Sequence, residues 1–267
     1  MEWCDDVVVL DSFSCDRTVE IAKQHGVQVF QRAFDNFAGQ RNFALRQLPF
    51  RHLWVFHLDA DERFTPDLQA EIERRISTTD FEAFFVPSKM MFGGKWLRNS
   101  AMYPTYQVRL IKQEGFEFTQ VGHGQREAIE LNRIGRLEEP YLHFSLSKGI
   151  ADWVNRHDRY STLEAAEAVQ EIGNHGPDWA GLASRDSVRR RRALKALSYH
   201  LPFRSSLRFM YVFLLRRGFL DGLPGWIYCC LLAFYEQMIS MKIKYLKIEK
   251  GKNPLPPIAE GGKALVR

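Results

Sequence analysis

The chain has 267 residues, 45% of them hydrophobic and 26% charged. That is enough for one large domain or a domain with an appendage, with apolar material for a sizeable core, and it excludes a disordered chain. The net charge of +5 suits an anionic substrate or an acidic surface and does not point to nucleic acid.

Cysteine usage adds little. Cys4, Cys15, Cys229 and Cys230 form no C-x-x-C pair and no zinc spacing. A disulfide framework is not expected at this size, so a reducing cytosol is the default. Glu2, Asp5 and Asp6 are acidic where a secretory leader carries a basic region.

Val7-Val8-Val9-Leu10 is a β-branched apolar run that ends at Asp11 and reads as a buried strand. Asp16 is placed to N-cap a short helix over Arg17 to His25, closed by Gly26. Val27 to Phe30 reads as the next strand. Phe37, Arg41, Ala44, Leu45 and Leu48 keep helical spacing, which predicts a helix over Asn36 to Gln47. Leu53 to Leu58 is a third apolar run, expected to be a strand buried on both faces in a parallel sheet. Thr65-Pro66 opens another helix, with Leu68, Ile72 and Ile76 on one face. Strand alternating with helix argues for an α/β fold with a parallel sheet and crossover helices.

The third strand carries the chemistry. It stops at Asp59-Ala60-Asp61-Glu62. Carboxylates at the carboxyl end of a strand lie where open α/β sheets bind ligands. Asp59 and Asp61 are two apart and can reach one hard cation such as Mg²⁺ or Mn²⁺, which can bridge to substrate phosphates. A solvated acidic turn is the alternative on spacing alone.

The pattern changes from Glu82. Ala83 to Val86 and Tyr106 to Ile111 read as strands, with an aromatic and basic loop hinged at Gly93-Gly94 between them. Phe116 to Glu130 is polar around Gly122-His123-Gly124-Gln125-Arg126-Glu127. Tyr141 to Phe144 is a short apolar run, and Asp152 to Gln170 is helical in register. These divisions place a catalytic domain over 1–170, a linker over 171–188, a basic amphipathic helical region over 189–250 and a loose tail over 251–267. In the helical region the longest uninterrupted apolar piece, Trp226 to Tyr235, is too short to span a bilayer. Arg204, Arg208, Arg216, Arg217, Lys242, Lys244 and Lys247 flank aromatic and aliphatic residues there, which fits helices lying in an anionic membrane interface. Packing on the domain or a homodimer contact is the alternative. Arg189 to Arg192 fit a solvated face or membrane phosphates better than nucleic acid.

Together these stretches resemble a family. Val8 to Thr18, Gln40-Arg41-Asn42-Phe43-Ala44-Leu45 and Leu58-Asp59-Ala60-Asp61-Glu62 resemble the motifs of inverting family 2 glycosyltransferases, the last of them the D-x-D motif. Trp96-Leu97-Arg98 with Tyr103-Pro104, Gln107 to Leu110, Arg159 to Thr162 and Leu214 to Gly222 are similar to the lipopolysaccharide core branch of that family. The resemblance implies a Rossmann-like GT-A fold, mostly parallel, with a C-terminal helical extension. It implies a UDP- or ADP-linked nucleotide-diphospho-sugar donor, Mg²⁺ or Mn²⁺, a glycolipid or polysaccharide acceptor, and a cytoplasmic enzyme held on the inner face of the plasma membrane. The family usually opens with a strand and helix before the position of Trp3. Here Met1 falls inside that unit, which implies exposed apolar edges at Val7 to Leu10.

Site roles follow from the resemblance. Asp11 would bind the base or ribose, with Asp16 beside it; either also suits a cap. Asp61 would ligate the metal, and Asp59 would hold the ribose or a metal-bound water. Arg41 would pair with a phosphate or with Asp59. Glu127 is the candidate base for the acceptor hydroxyl, with His123 positioning or binding the diphosphate. His143 is a further metal or phosphate ligand, or a core histidine. Trp96, Arg98 and Tyr103 would line the acceptor cleft, where aromatic faces suit sugars and Arg suits anions. A D-x-D phosphatase is disfavoured because Arg63 stands where Thr or Val is wanted, and an oxidoreductase because no G-x-G-x-x-G follows a strand. The remaining alternative is a membrane-associated relative that has lost donor binding and acts as an interaction protein.

Overall fold

The computed structural model describes residues 3–121, 124–174, 178–184, 187–199 and 201–250. The chain begins β1 (Val8–Asp11), α1 (Thr18–Gln24), β2 (Gln28–Gln31), α2 (Phe37–Gln47), β3 (Trp54–Phe56), β4 (Glu62–Arg63) and α3 (Pro66–Ile76). Local signals set the helix starts. The Asn36 side chain accepts from Gly39 N at 2.7 Å and caps α2. Thr65 Oγ1 accepts from Leu68 N at 3.2 Å, with Pro66 next to it, and caps α3. At α1 the capping position is Arg17 rather than Asp16; Asp16 instead accepts from Thr18 N at 3.0 Å in a local turn.

The middle of the chain is β-rich. It comprises β5 (Ala83–Phe92), β6 (Lys95–Trp96), β7 (Thr105–Lys112), β8 (Phe118–Val121), β9 (Gly124–Glu127), β10 (Ile134–Arg136) and β11 (Tyr141–His143). The stretch expected as an aromatic loop is therefore the end of β5 and a hairpin. Gly93 and Gly94 have φ of 56° and 74°, and positive φ at both central residues is what a two-residue hairpin turn with the right twist requires.

The main sheet runs β3-β7-β5-β11-β4, with β10 and β6 also on β5. It is mixed rather than mostly parallel: β10 and β11 run parallel to β5, while β7 and β6 run antiparallel to it. β3, expected between parallel neighbours, pairs antiparallel with β7. β1 and β2 pair parallel in a two-stranded sheet of their own. The alternation of side chains along β5 sorts the core into two layers. Ala83 packs with Ala38 and Leu45 of α2, and with Val55, Val108 and Ile111. Phe84 and Val86 pack on the other face with Leu68 and Ile72 of α3, and with Leu110 and Tyr141. The main sheet is thus sandwiched between α2 and α3.

The C-terminal part is helical: α4 (Gly149–Asn174), α5 (Trp179–Leu182) inside the stretch expected as a linker, α6 (Ser187–Ser198), α7 (Arg204–Met210) and α8 (Gly222–Lys250). A π-helical turn over Tyr211–Leu215 and a 3₁₀ turn over Gly218–Asp221 join α7 to α8. Ala165, Ala168 and Val169 of α4 bury against Ile239 and Ile243 of α8. Gly218–Glu249 is long and apolar enough to cross a membrane by length and composition, which corrects the expectation drawn from the shorter uninterrupted run. Phe203, Leu215 and Leu223 are 80%, 77% and 69% exposed.

Candidate active site

The strand β3 ends at Phe56, and His57 N donates to Arg109 O of β7 at 2.8 Å. The chain then turns: Glu62 N donates to Asp59 O, and Asp59 N donates to Glu62 Oε2, both at 2.9 Å. Pairing of β4 with β11 sets Glu62 opposite His143, and Phe144 N donates to Asp61 O at 2.8 Å. Asp61 is thereby carried to His143, with Oδ2 3.5 Å from Nε2.

The two aspartates have different surroundings. Asp59 is gripped. Its Oδ2 accepts from Arg109 Nη2 at 2.9 Å and its Oδ1 from Arg41 Nη2 at 3.2 Å. Burial pushes this carboxyl up, but Arg109 and Arg41 outweigh it and hold it down at about 2. Asp61 is 27% exposed at its side chain, against 47% for Asp59, and the hydrogen bond with His143 holds it below the ordinary carboxylate range.

Arg109 organises this turn and is the residue that sequence reasoning missed. It is 1% exposed, pairs with Glu62 as well as Asp59, and lies over the Tyr141 ring at 5.3 Å. Burial pulls its guanidinium down while Asp59, Tyr141 and Glu62 pull it up, and the balance is upward. Glu62 is moved upward by burial against the pull of Arg109. The available signal was an Arg inside the apolar run Val108-Arg109-Leu110-Ile111, since a buried Arg demands acidic partners.

Other residues fall around this centre. A cavity of about 300 Å³ lies between β1 and β3, lined by Leu10, Ser12, Gln40, Arg41, His57 and Asp59 among others. The Nε2 of His57 is buried without a hydrogen-bond partner. Burial, with Arg41 and Arg109, pushes His57 down to about 3, so its ring is neutral. Asp11 ends β1 between Leu10 and Ser12, two residues of the cavity wall, and is itself 4% exposed. It accepts from Ser14 N and Gln31 Nε2, each at 3.0 Å. Asp16 is exposed on the turn beyond it.

On the other side, Met90 of β5 pairs with His143 and Met91 pairs with Trp96, so β5 joins the aromatic cluster to the strand that carries His143. Trp96 meets Tyr103 edge-on at 4.9 Å, and Arg98 and Lys89 lie over Trp96 at 5.5 and 4.8 Å. Glu127 sits half-buried at the base of the β8–β9 hairpin, paired with Phe118. Asn42 of α2 fixes that strand by donating to Phe118 O and accepting from Phe118 N, both at 2.8 Å. The described contacts bring Glu127 to Phe118 and not to Asp61. His123 lies outside the described residues.

A metal test of the donor set gives a partial cage. No group of three His, Cys, Asp or Glu side chains converges on one point among the described residues. Asp61 and His143 are the pair free to face a cation. Each Asp59 oxygen already accepts from a guanidinium. Mg²⁺ and Mn²⁺ take few protein ligands and fill the rest with phosphate and water, so the pair fits a metal that is completed by substrate.

Residues 5–129 match the family Glycosyl transferase family 2. These residues are a family 2 glycosyltransferase domain. The α/β architecture of that stretch is accordingly a GT-A fold, and the match supports glycosyltransferase function at that general level. The match holds Arg41, Asp59, Asp61, Glu62 and Arg109, while His143 and the helical region lie outside it. Over 261 residues the chain is 24% identical to an uncharacterized glycosyltransferase of Rickettsia typhi, covering 92% of this chain and 80% of that protein. It is 28% identical over 176 residues to the lipopolysaccharide core biosynthesis glycosyltransferase LpsC of Rhizobium meliloti, covering 64% of each. Among solved structures, S. aureus TarS covers 91% of this chain at 14% identity and a TM-score of 0.38; the chain spans 49% of that structure.

Proposed function

We propose that this glycosyltransferase moves a sugar from a UDP- or ADP-linked nucleotide-diphospho-sugar to a hydroxyl of a cell-envelope glycolipid or polysaccharide, with inversion at the anomeric carbon. The observation that carries the reading is the asymmetry of the carboxylate turn. Asp59 is neutralised by Arg109 and Arg41, whereas Asp61, 27% exposed at its side chain, has no guanidinium partner among the described residues and stands beside the His143 imidazole. Mg²⁺ or Mn²⁺ held by Asp61 and His143 would neutralise the charge that develops on the departing diphosphate.

The chain's own groups do the rest. Arg41 and Arg109 fix Asp59 in its ionised form, ready to take a ribose hydroxyl or a metal-bound water. The cavity between β1 and β3, whose wall includes Leu10 and Ser12 on either side of Asp11, suits the nucleoside. Glu127 takes the acceptor proton as the acceptor oxygen bonds to the anomeric carbon and the sugar–phosphate bond breaks. The family resemblance gives His123 the role of positioning or binding the diphosphate. Trp96 and Tyr103 offer faces to a sugar, and Arg98 offers a cation to an anionic acceptor. The name of the R. meliloti relative supports a lipopolysaccharide core acceptor. The exposed apolar and basic C-terminal helices support a seat on an anionic membrane where such acceptors reside.

Asp61→Ala tests the reading. Purified protein with Mn²⁺ and a panel of UDP- and ADP-sugars is expected to transfer sugar to a glycolipid acceptor. The variant is expected to lose this by at least about a hundredfold, the scale of losing a main electrostatic stabiliser, while circular dichroism stays unchanged. Wild-type turnover by Asp61→Ala sinks the metal–diphosphate site.

A further inference from the structure

The turn that joins the α7 segment to α8 ends in a buried carboxylate. Asp221 is 3% exposed. Its Oδ2 accepts from Ser100 N at 2.7 Å, from Ser100 Oγ at 2.6 Å and from Asn99 N at 3.0 Å. Its Oδ1 accepts from Asn99 Nδ2 at 2.9 Å. These donors are neutral and come from a segment more than a hundred residues earlier in the chain. A carboxylate taken out of water is costly unless its lone pairs are filled, and two backbone N–H groups with two side-chain donors fill them.

The packing around Asp221 leaves little freedom. A Cβ on Gly225 would stand 2.5 Å from Asp221 Cβ and 2.6 Å from Gly218 O. Gly222 has a φ of +71°, and a Cβ there would meet Lys95 Nζ at 3.3 Å. Pro224 faces the β5–β6 hairpin tip, 3.5 Å from where a Gly93 Cβ would lie. The knuckle of Gly218, Gly222 and Gly225 therefore lets α8 press against the hairpin that carries Trp96.

The clamped pair, Asn99 and Ser100, lies inside the loop that bears the aromatic cluster. Tyr103 N donates to Arg98 O at 3.1 Å and closes the loop, and Leu97 N donates to Met90 O at 2.9 Å and ties its start to β5. Trp96 and Arg98 precede the pair, and Tyr103 follows it. Fixing Asn99 and Ser100 sets the spacing between Arg98 and Tyr103, and with it the edge-on contact of Trp96 with Tyr103.

We infer that Asp221 is a positioning residue for acceptor binding: it locks the Asn99–Ser100 turn so that Trp96, Arg98 and Tyr103 receive the acceptor as one preformed surface. The inference rests on the assignment of those three residues to the acceptor under the proposed function. It also makes the helical region part of the acceptor site, since the clamp is the polar joint between α8 and the sheet. Preorganisation of this kind acts on acceptor affinity and not on the donor half of the reaction.

The test uses the full chain, deep-rough lipopolysaccharide in detergent as acceptor probe, and the UDP-hexose or ADP-heptose that the wild type turns over. Asp221→Asn puts an NH₂ group against buried donors. It is expected to raise the acceptor KM about tenfold, the effect of losing roughly one charge-assisted hydrogen bond, with acceptor-free donor hydrolysis within about twofold of wild type. Ser100→Ala removes one donor and is expected to raise the acceptor KM about threefold, on the scale of one neutral hydrogen bond. Amide exchange over residues 97–104 is expected to quicken in both. Faster exchange with an unmoved acceptor KM overturns the inference, because the clamp is then structural only. An equal loss of hydrolysis and transfer overturns it as well. If Asp221→Asn does not fold, Ser100→Ala decides alone. A wild type that transfers no sugar overturns the proposed function and this inference together. Wild-type transfer with unmoved KM values overturns this inference by itself.

Discussion

The sheet domain and the helical region break the usual rule of burial in opposite directions. In the sheet domain, charge goes inside: Arg109 and Glu62 are 1% and 3% exposed, and they share the turn with Asp59. In the helical region, apolar side chains go outside: Phe203, Leu207, Leu215, Leu223 and Trp226 face solvent, with Arg216 and Arg217 among them. Neither pattern helps a soluble chain fold. Buried ion networks give weak net stability, and exposed apolar patches invite association. Under the proposed function, each would be completed from outside the chain: the turn by a charged ligand at Asp61, and the helices by an apolar surface with anionic groups at its edge.

The comparison is tested hardest at Arg109. Arg109→Met removes the cation, leaving buried Glu62 without a counter-charge and Asp59 with Arg41 alone. An expected loss of about 3–5 kcal/mol in unfolding free energy follows from breaking a buried pair, read by urea denaturation. Adding Glu62→Gln to that variant is expected to restore part of it. The contrast lies in the helical region, where Lys242 pairs with Asp158 at side-chain exposures of 27% and 60%; Lys242→Met is expected to cost under about 1 kcal/mol. Equal costs at both sites would erase the distinction between a buried network and a surface pair.

Legibility in the sequence followed the range of the interaction. The helices α2 and α3 were readable from apolar spacing and from Thr65-Pro66, and Asn36 and Thr65 each cap a donor three residues on. The acids at Asp59 and Asp61 were readable as a pair. Their opposite surroundings were not, since the grip on Asp59 comes from β7 and α2, and the imidazole beside Asp61 comes from β11. The pairing partner of β3 was misjudged because alternating strand and helix suggests parallel neighbours, whereas β7 enters the sheet from a later meander. The hairpin at Gly93-Gly94 carried a turn signal that the aromatic and basic residues around it masked. Asp221 was quoted only within a motif; its partners lie more than a hundred residues earlier, beyond any local pattern.

A second measurement sharpens the helical side. Phe203→Ser and Leu215→Ser change side chains that are 80% and 77% exposed. Unfolding free energy is expected to move by no more than about 0.5 kcal/mol, as for exposed sites in general. Partition onto vesicles containing anionic lipid is expected to weaken by roughly tenfold for each, since a Leu or Phe buried in an apolar phase is worth about 1.5–3 kcal/mol. Sedimentation with vesicles that is unchanged in the double variant would refute the interfacial seat. A shift from dimer to monomer in its place would assign the patch to a second copy of the chain.

The two-stranded sheet of β1 and β2 shows what a local, self-satisfied carboxylate contributes. Asp11 accepts from Gln31 Nε2 and Ser14 N, and these hydrogen bonds hold its carboxyl below the ordinary value of 3.8. A carboxyl depressed in the folded state adds stability that is fully present above its unfolded pKa and is lost as pH falls through the folded one. Asp11→Asn is therefore expected to flatten the acid limb of the stability curve below about pH 4, near the pKa of a free Asp. The cost at neutral pH is expected to be about 1 kcal/mol, one hydrogen bond's worth. Urea unfolding across the acid range reads both. An acid limb as steep as the wild type's would mean that the carboxylates around Arg109, and not the β1 end, set the acid sensitivity of the fold.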